Sequence, residues 1–152
     1  MQTLTEKKLN VQFVKVHEKA QLPFYATEGA AGMDLVNVLE QPLTLKPNER
    51  AKVPTGLIMV LEPGYEGQVR PRSGLAARYG ITLTNCVGTV DSDYRGEMCC
   101  LMINLGNEPY TIQPGERIAQ LVISPVVQVG TEFVEKIPET KRGSGGFGST
   151  GK

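Results

Sequence analysis

The chain has 152 residues, a length that suits one domain with a genuine core and is too short for two comfortable ones. Its 16 basic and 16 acidic residues cancel, which argues against broad electrostatic binding to nucleic acid or to an anionic membrane. The N-terminal MQTLTEKKLN lacks the pattern of a secretory signal, and no apolar run approaches the ~18 residues of a membrane span. We therefore expect a soluble, unexported protein of the cytoplasm, or of the nucleus if the source is a eukaryote.

Ten prolines and 17 glycines divide the chain into short apolar runs, none of which keeps a 3.6-residue period. Such runs are typical of strands. In chain order the predicted strands are 9-LNVQFVKV-16, 43–45, 56-GLIMVL-61, 68–69, 81–83, 98-MCCLMINL-105, 117-RIAQLVIS-124 and 126–129. Only 75-LAARY-79 has the composition of a short helical turn. The pattern predicts an all-β sandwich or barrel.

The first predicted strand changes phase along its length. Apolar residues alternate from Leu9 through Val11 to Phe13 and then shift to Val14 and Val16. A bulge or burial on both faces would each explain this change.

Apolar residues become rare after Pro138. We therefore predict a compact domain over residues 1–138 and a flexible glycine-rich arm over residues 139–152. Residues 146–152, GFGSTGK, also match the phosphate-binding pattern G-x-x-x-x-G-K. We reject this interpretation, because that loop needs a strand before it and a helix after it.

The three cysteines, Cys86, Cys99 and Cys100, are an odd number and lack the spaced pairs of a zinc site. We expect them to be buried free thiols in a reducing compartment. His17 is the only histidine, and we expect it on the surface because one imidazole cannot build a histidine-rich metal site.

Two stretches concentrate polar residues that could bind anions. In 30-AAGMDLVN-37, Asp34 could be a functional carboxylate or a strand-end carboxylate satisfied by backbone N–H groups. In 70-RPRSGLAARYG-80, two guanidinium groups, a hydroxyl and a glycine amide could converge on phosphate oxygens. A solvated arginine-rich loop would also explain the second stretch.

Two further stretches carry glycines beside polar residues. In 85-NCVGTVDSDYRGE-97 the pattern predicts a β-hairpin that presents backbone groups and a carboxylate to one pocket. In 114-PGERIAQLV-122, Arg117 and Gln120 could lie either at a rim or inside a pocket.

Taken together, AGMDL, RPRSGLA, NCVGTVDSDYRGE, GERIAQL and RGSGGFGSTG closely resemble the five motifs of the trimeric deoxyuridine triphosphatases (dUTPases). The resemblance covers residues 31–151, and its two glycine-rich motifs are long and specific. It implies a jelly-roll-like β-barrel and a homotrimer with three shared active sites. The implied reaction converts dUTP and water to dUMP and pyrophosphate, which keeps uracil out of DNA and supplies dUMP for thymidylate synthesis.

The resemblance also implies how the nucleoside is chosen. It assigns uracil recognition to the backbone from Asn85 through Gly88 and Thr89 to Val90, which would meet uracil's pairing edge as a partner base does and refuse cytosine. Tyr94 would lie beneath the sugar, where its ring would collide with a ribose 2′-hydroxyl.

For the chemistry, the resemblance implies that Asp91 is the general base, because an ionised aspartate can hold and polarise the attacking water. Asp34 would be a supporting carboxylate that orients water or an arginine. Mg²⁺ would bridge the triphosphate oxygens and waters rather than protein carboxylates. The phosphate contacts would come from Arg72, Ser73, Gly74, Gln120 and Arg142.

The arm would act as a lid on a neighbouring site. Glycine makes ordering expensive, at ~1 to 2 kcal/mol of backbone entropy per residue, so substrate must offset this cost. Phe147 would stack on uracil while Arg142 meets the terminal phosphate, with Gly148 and Ser149 completing the substrate-binding set.

Two rival functions share this fold. Deoxycytidine triphosphate deaminase carries a catalytic glutamate on the strand after the hairpin, where this chain has Leu101. A catalytically silent nucleotide sensor would keep the fold without turnover, since a fold alone never proves an activity.

Overall fold

A computed structural model describes residues 9–149 and 151, which form eleven β-strands and one α-helix. All strand pairs in this part of the chain are antiparallel, so the all-β prediction is confirmed. In chain order the elements are β1 (Gln12–Lys15), β2 (Met33–Val36), β3 (Leu43–Leu45), β4 (Arg50–Pro54), β5 (Leu57–Val60), β6 (Tyr65–Pro71), α1 (Ser73–Tyr79), β7 (Ile81–Leu83), β8 (Gly88–Val90), β9 (Cys99–Asn104), β10 (Tyr110–Ile112) and β11 (Arg117–Pro125).

The strands of the described residues form four sheets: β2-β11-β6-β8, β4-β9-β7, β1-β5 and β3-β10. Burial alternates along them, because successive side chains of a strand point to opposite faces. On β9, Cys100, Met102 and Asn104 are buried, whereas the residues between them are only partly covered. Buried residues from β2 through β11, together with Leu75 of α1, form one core cluster.

Most predicted elements are present. The strands predicted at 43–45 and 81–83 match β3 and β7, and the predicted helical turn lies within α1. Five of the six other predicted strands correspond to β1, β5, β6, β9 and β11, of which β6 is much longer than predicted. The sequence did not predict β2, β4 and β10, because these short strands are interrupted by polar residues. It predicted β8 only as part of a β-hairpin.

The strand predicted at 126–129 is wrong in this structure. β11 ends at Pro125, and no described strand pairs with the residues that follow. Val127 is 86% exposed and Val129 is 75% exposed, so their apolar side chains find no cover within one chain.

The phase change in the first strand has neither of the predicted causes within one chain. β1 pairs with β5 in continuous register, so it contains no bulge. Val11 and Phe13 pack against the core, whereas Val14 and Val16 are each 49% exposed.

Two turns of the same design follow the paired strands β3 and β10. The segments 43-LTLKPNER-50 and 110-YTIQPGER-117 share a Thr, a Pro and a final Glu-Arg. Their strands pair antiparallel, and the hydroxyls of Thr44 and Thr111 are hydrogen-bonded at 2.7 Å. The segments are therefore an internal structural repeat.

Each repeat closes its turn in the same way. Glu49 N–H donates to the carbonyl of Lys46, and its carboxylate accepts from Lys46 N–H at 2.9 Å. Glu116 makes the same two bonds with Gln113, with its carboxylate at 3.0 Å. The third turn position is Asn48 in the first repeat and a glycine in the second, and both have positive φ, which those residue types tolerate.

A buried asparagine anchors each turn. Asn37 donates from its backbone and its side chain to the carbonyl of Glu116, and Asn104 donates from its backbone to the carbonyl of Glu49. Both asparagines are almost completely buried, and their side-chain groups are hydrogen-bonded. A buried asparagine therefore holds each turn by hydrogen bonds to the glutamate that ends it.

The cysteine prediction is correct for only one buried thiol. All three cysteines are free, but Cys86 is exposed and Cys99 is only partly buried. Burial raises the pKa of Cys100 to about 12. His17 lies at the surface, as expected, and its partly exposed ring is 3.0 Å from the exposed carboxylate of Glu40.

Within residues 9–149 and 151, no helix has the length and apolar character needed to cross a membrane.

Candidate active site

Asp34 lies within β2 and contacts two arginines. β2 pairs with β11, and Arg117 at the start of β11 places Nη1 3.0 Å from Asp34 Oδ2. Arg72, just after β6, places Nε 3.2 Å from Asp34 Oδ1 and donates from Nη1 to the carbonyl of Arg117 at 3.3 Å. We call these three residues the carboxylate–arginine cluster. Because both oxygens of the buried carboxylate face guanidinium groups, Asp34 can fix the orientation of both arginines.

Gln120 lies on β11 beside this cluster. Its Nε2 donates to the carbonyl of Pro71 at 3.0 Å, which ties it to the end of β6. Arg72, Ser73 and Gly74 continue from this point into α1, and the last two are exposed. The structure therefore brings together the four phosphate-contact residues that were predicted outside the arm.

A separate cavity of about 240 Å³ contains the predicted nucleoside residues. It lies between β8, the segment after it and the partly covered face of β9. The predicted site residues that line it are Asn85, Gly88, Thr89, Val90, Asp91 and Tyr94. The sequence did not predict the other lining residues, Lys52, Val69, Glu97, Met98, Cys99 and Leu101.

β8 forms one wall of this cavity by pairing with β6. Gly88 pairs with Val69, and a Cβ at Gly88 would lie 3.0 Å from Asn85 Nδ2 and 3.3 Å from Val69 Cβ. A side chain at position 88 would therefore push against both neighbours, and glycine lets the backbone approach closely.

The predicted β-hairpin is wrong in its strand pairing. β7 pairs with β9, whereas β8 pairs with β6, so residues 84–87 connect two different sheets. Along β8, Val90 is buried against the core and the neighbouring Thr89 is exposed. The burial of Val90 sets the register in which β8 pairs with β6. The segment nevertheless presents its backbone and Asp91 to the same cavity, as predicted.

A turn after β8 places the carboxylate and the ring next to each other. Tyr94 N–H donates to the carbonyl of Asp91 at 3.2 Å, and Tyr94 Oη donates to the carbonyl of Glu97 at 3.2 Å. A Cβ at Gly96 would collide with the ring of Tyr94, so glycine is needed for this ring position. Asp91 is exposed at the cavity.

The β9 side chains at the cavity differ from those expected of a deaminase. Leu101, at the place of the deaminase glutamate, lines the cavity with an apolar side chain. Glu97 also lines it, but its Oε1 accepts a hydrogen bond from the backbone N–H of Gly56 at 2.7 Å.

Residues 126–149 run outside the sheets. Described residues of the arm form successive turns, and Arg142 donates from Nε to the carbonyl of Gly145 at 2.7 Å. Phe147 is fully exposed, and the backbone of Gly148 has positive φ. No described strand adjoins the GFGSTGK pattern, and its Thr150 and Lys152 lie outside the described residues.

The sequence profile of the dUTPase family matches residues 18–151. The chain belongs to the dUTPase family. It is 55% identical over 132 residues to the deoxyuridine 5′-triphosphate nucleotidohydrolase of Anaeromyxobacter sp. (strain Fw109-5), covering 87% of this chain and 88% of that protein. It is 50% identical over 145 residues to the enzyme of the same name from Syntrophotalea carbinolica, covering 95% of this chain and 99% of that protein.

Solved dUTPase structures have the same fold. The Staphylococcus bacteriophage 80alpha dUTPase with dUPNHPP is similar with a TM-score of 0.84 and 25% identity, covering 94% of this chain and 99% of that chain. A mutant dUTPase of phage phi11 of S. aureus, whose structure describes coordination of a structural Mg(II) ion, is similar with a TM-score of 0.76 and 22% identity, covering 86% of this chain and 99% of that chain. The jelly-roll-like architecture expected of a dUTPase is thereby confirmed.

Within one dUTPase chain, the predicted site residues form three separate groups. The carboxylate–arginine cluster and Gln120 do not line the cavity that contains Asp91. Phe147 is fully exposed and contributes nothing to either group. The geometry of a single chain therefore leaves the predicted site unassembled.

Across residues 9–149 and 151, no group of three or more His, Cys, Asp or Glu side chains could hold a metal ion. The carboxylate of Asp34 is occupied by two arginines, and Asp91 stands apart from it at the cavity. The donor set suits a cation that binds mainly through substrate phosphates and water.

Proposed function

We propose that this protein hydrolyses dUTP to dUMP and pyrophosphate by attack of water on the α-phosphate. The observation that carries the proposal is the cavity that contains Asp91, the backbone of Gly88–Val90 and the ring of Tyr94. The two curated relatives, both named deoxyuridine 5′-triphosphate nucleotidohydrolase, support the same reaction.

In this proposal the cavity selects uracil through main-chain groups. Thr89 and its neighbours on β8 lie at the cavity, and Asn85 adds an amide side chain at the same wall. A site whose buried polar groups are left unpaired by the wrong ligand discriminates best, by about 10⁴-fold in favourable cases. Tyr94 beneath the deoxyribose excludes a ribose 2′-hydroxyl by contact.

Asp91 acts as the general base. The Asp91 carboxylate is exposed at the cavity, so it can hold a water and accept its proton as the water attacks the α-phosphorus. The bond from the α-phosphorus to the oxygen that bridges to the β-phosphate then breaks. Pyrophosphate leaves with the negative charge, which the phosphate-binding groups stabilise.

The carboxylate–arginine cluster prepares the phosphate contacts. Asp34 holds Arg72 through Nε, and Ser73 and Gly74 follow as exposed donors. Gln120 adds an amide from the adjacent strand. We assign Mg²⁺ as the divalent cation, which would be held by triphosphate oxygens and waters and would supply charge neutralisation.

We further propose that three copies of the chain assemble each site. The predicted site groups lie apart within one chain, and an apolar strip is uncovered after β11. Contiguous exposed apolar surface marks an interaction site. The exposed apolar residues of this strip are Val127, Val129, Phe133, Val134 and Ile137.

In that assembly, residues 126–138 belong with the compact domain and residues 139–152 form the arm. Arg142, Phe147, Gly148 and Ser149 then bind substrate in a neighbouring site and close it. The free thiols Cys86, Cys99 and Cys100 suit a reducing compartment, so we place the protein in the cytoplasm.

The test is incubation of the purified protein with dUTP and Mg²⁺, followed by measurement of dUMP and pyrophosphate. We expect turnover of dUTP, far slower turnover of UTP and dCTP, and loss of turnover with a chelator. Release of ammonia from dCTP would indicate the deaminase instead. Binding of dUTP without pyrophosphate release would indicate the silent sensor.

A further inference from the structure

Tyr110 connects β10 to two other parts of the molecule. Its ring packs against Tyr79 at the end of α1, with ring centroids 4.8 Å apart. Its hydroxyl donates to Glu116 Oε1, while Glu116 Oε2 accepts from Gln113 N–H at 3.0 Å. Both carboxylate oxygens of Glu116 are therefore occupied, one by the turn itself and one by Tyr110.

These contacts form a closed circuit with the carboxylate–arginine cluster. Glu116 directly precedes Arg117, which reaches Asp34, and Asp34 holds Arg72. Arg72 in turn directly precedes α1, whose last residue packs on Tyr110. Burial and the Glu116 contact raise the pKa of Tyr110, and the charge of Arg72 opposes this rise.

The internal repeat shows that the Tyr110–Glu116 bond is not needed to form the turn. Glu49 closes the first turn with the same two hydrogen bonds as Glu116, but the residue equivalent to Tyr110 is Leu43, which has no hydroxyl. The first turn therefore forms without this bond. The extra bond occurs only in the repeat whose arginine joins Asp34.

We infer that Tyr110 and Glu116 are positioning residues for phosphate binding. Their hydrogen bond holds the start of β11 against α1, and so sets the separation of Arg117 and Arg72 across Asp34. Neither residue needs to touch the substrate. The inference rests on the proposed role of Arg72 in binding the phosphates of dUTP.

The test uses Tyr110→Phe, which keeps the ring contact and removes the hydroxyl, together with Glu116→Gln and Glu116→Ala. We expect Tyr110→Phe to raise KM for dUTP about three- to tenfold, the effect expected from the loss of one ordinary hydrogen bond. The inhibition constant of deoxyuridine, which has no phosphate, should stay within about twofold of wild type. Glu116→Gln, which keeps one oxygen acceptor, should raise KM less than Glu116→Ala.

Glu49→Gln and Glu49→Ala are the matched controls, because they make the same two side-chain changes at the equivalent position of the other repeat. We expect them to leave both KM and the deoxyuridine constant unchanged. The inference is wrong if Tyr110→Phe leaves KM unchanged, if it weakens deoxyuridine and dUTP equally, or if Glu49→Ala raises KM as much as Glu116→Ala. Failure of the proposed function would give a different result, because the wild-type protein would then not hydrolyse dUTP. Failure of the proposed role of Arg72 would show as an unchanged KM for dUTP in Arg72→Gln.

Discussion

Asp91 and Asp34 are both aspartates, yet their surroundings suit them to different tasks. Asp91 is exposed at the cavity beside β8 and β9, where its carboxylate can face water. Asp34 is buried, and its two oxygens face Arg72 and Arg117. A carboxylate held in this way is better suited to orienting arginines than to accepting a proton.

Replacing Asp91 with Asn should remove the base and keep the shape of the side chain. We expect kcat to fall by about 10² to 10⁴, the usual contribution of a general base. Affinity for a non-hydrolysable dUTP analogue should change by less than about tenfold. Steady-state kinetics and calorimetric titration would measure the two effects, and unchanged turnover would contradict the assignment.

Replacing Tyr94 with Ala should weaken sugar selection, because the ring lines the cavity next to Asp91. The ratio of kcat/KM for dUTP to that for UTP should fall by at least about tenfold, since the steric clash with the 2′-hydroxyl is removed. Competition assays with both nucleotides would check this ratio. Equal or stronger discrimination against UTP would exclude the steric role.

At the scale of the elements, local patterns predicted strands wherever apolar residues alternate with polar ones or follow one another in a short run. β3, β7 and β9 satisfy that condition and were predicted closely. β2 was missed and β8 was predicted only as part of a hairpin, because a buried Asp34 and a leading Gly88 look like loop residues until their partners β11 and β6 are known. The pairing of β8 with β6 depends on residues far away in the chain, which no local pattern contains.

The arm is an element without a core. Its described residues make turns with one another, and its one aromatic, Phe147, is fully exposed. Deleting residues 141–152 should therefore leave the thermal unfolding midpoint and the assembly mass nearly unchanged. We expect kcat/KM to fall by at least about tenfold, because closure over the substrate is lost.

Activity and analytical ultracentrifugation of the truncated chain would measure both effects. Dissociation of the assembly on truncation would show that the arm is a structural element and not a lid.

At the scale of the whole molecule, subunit sharing can be tested by mixing two inactive variants. If Asp91 and Arg72 of one site come from different chains, co-refolding Asp91→Asn with Arg72→Gln should restore about a quarter of the sites, as random closed trimers require. A mixture of Asp91→Asn and Asp91→Ala is the control and should stay inactive. Absence of any recovery would place both residues of a site in one chain.

The internal repeat could have been found from the sequence, because 43-LTLKPNER-50 and 110-YTIQPGER-117 align without gaps. The contacts that Tyr110 makes in the second repeat could not be found in this way. Only the pairing of β3 with β10 and the position of α1 show that Tyr110 meets both Glu116 and Tyr79.

The sequence by itself determined the all-β class, the dUTPase family and the site residues to examine, because these depend on residue types and their order along the chain. Tertiary structure alone decided that Asp34 holds two arginines, that Leu101 and Glu97 line the cavity, and that one chain keeps the site groups apart. These outcomes depend on strand pairing between residues distant in the chain, and the balance of burial and hydrogen bonding over the whole fold selects that pairing.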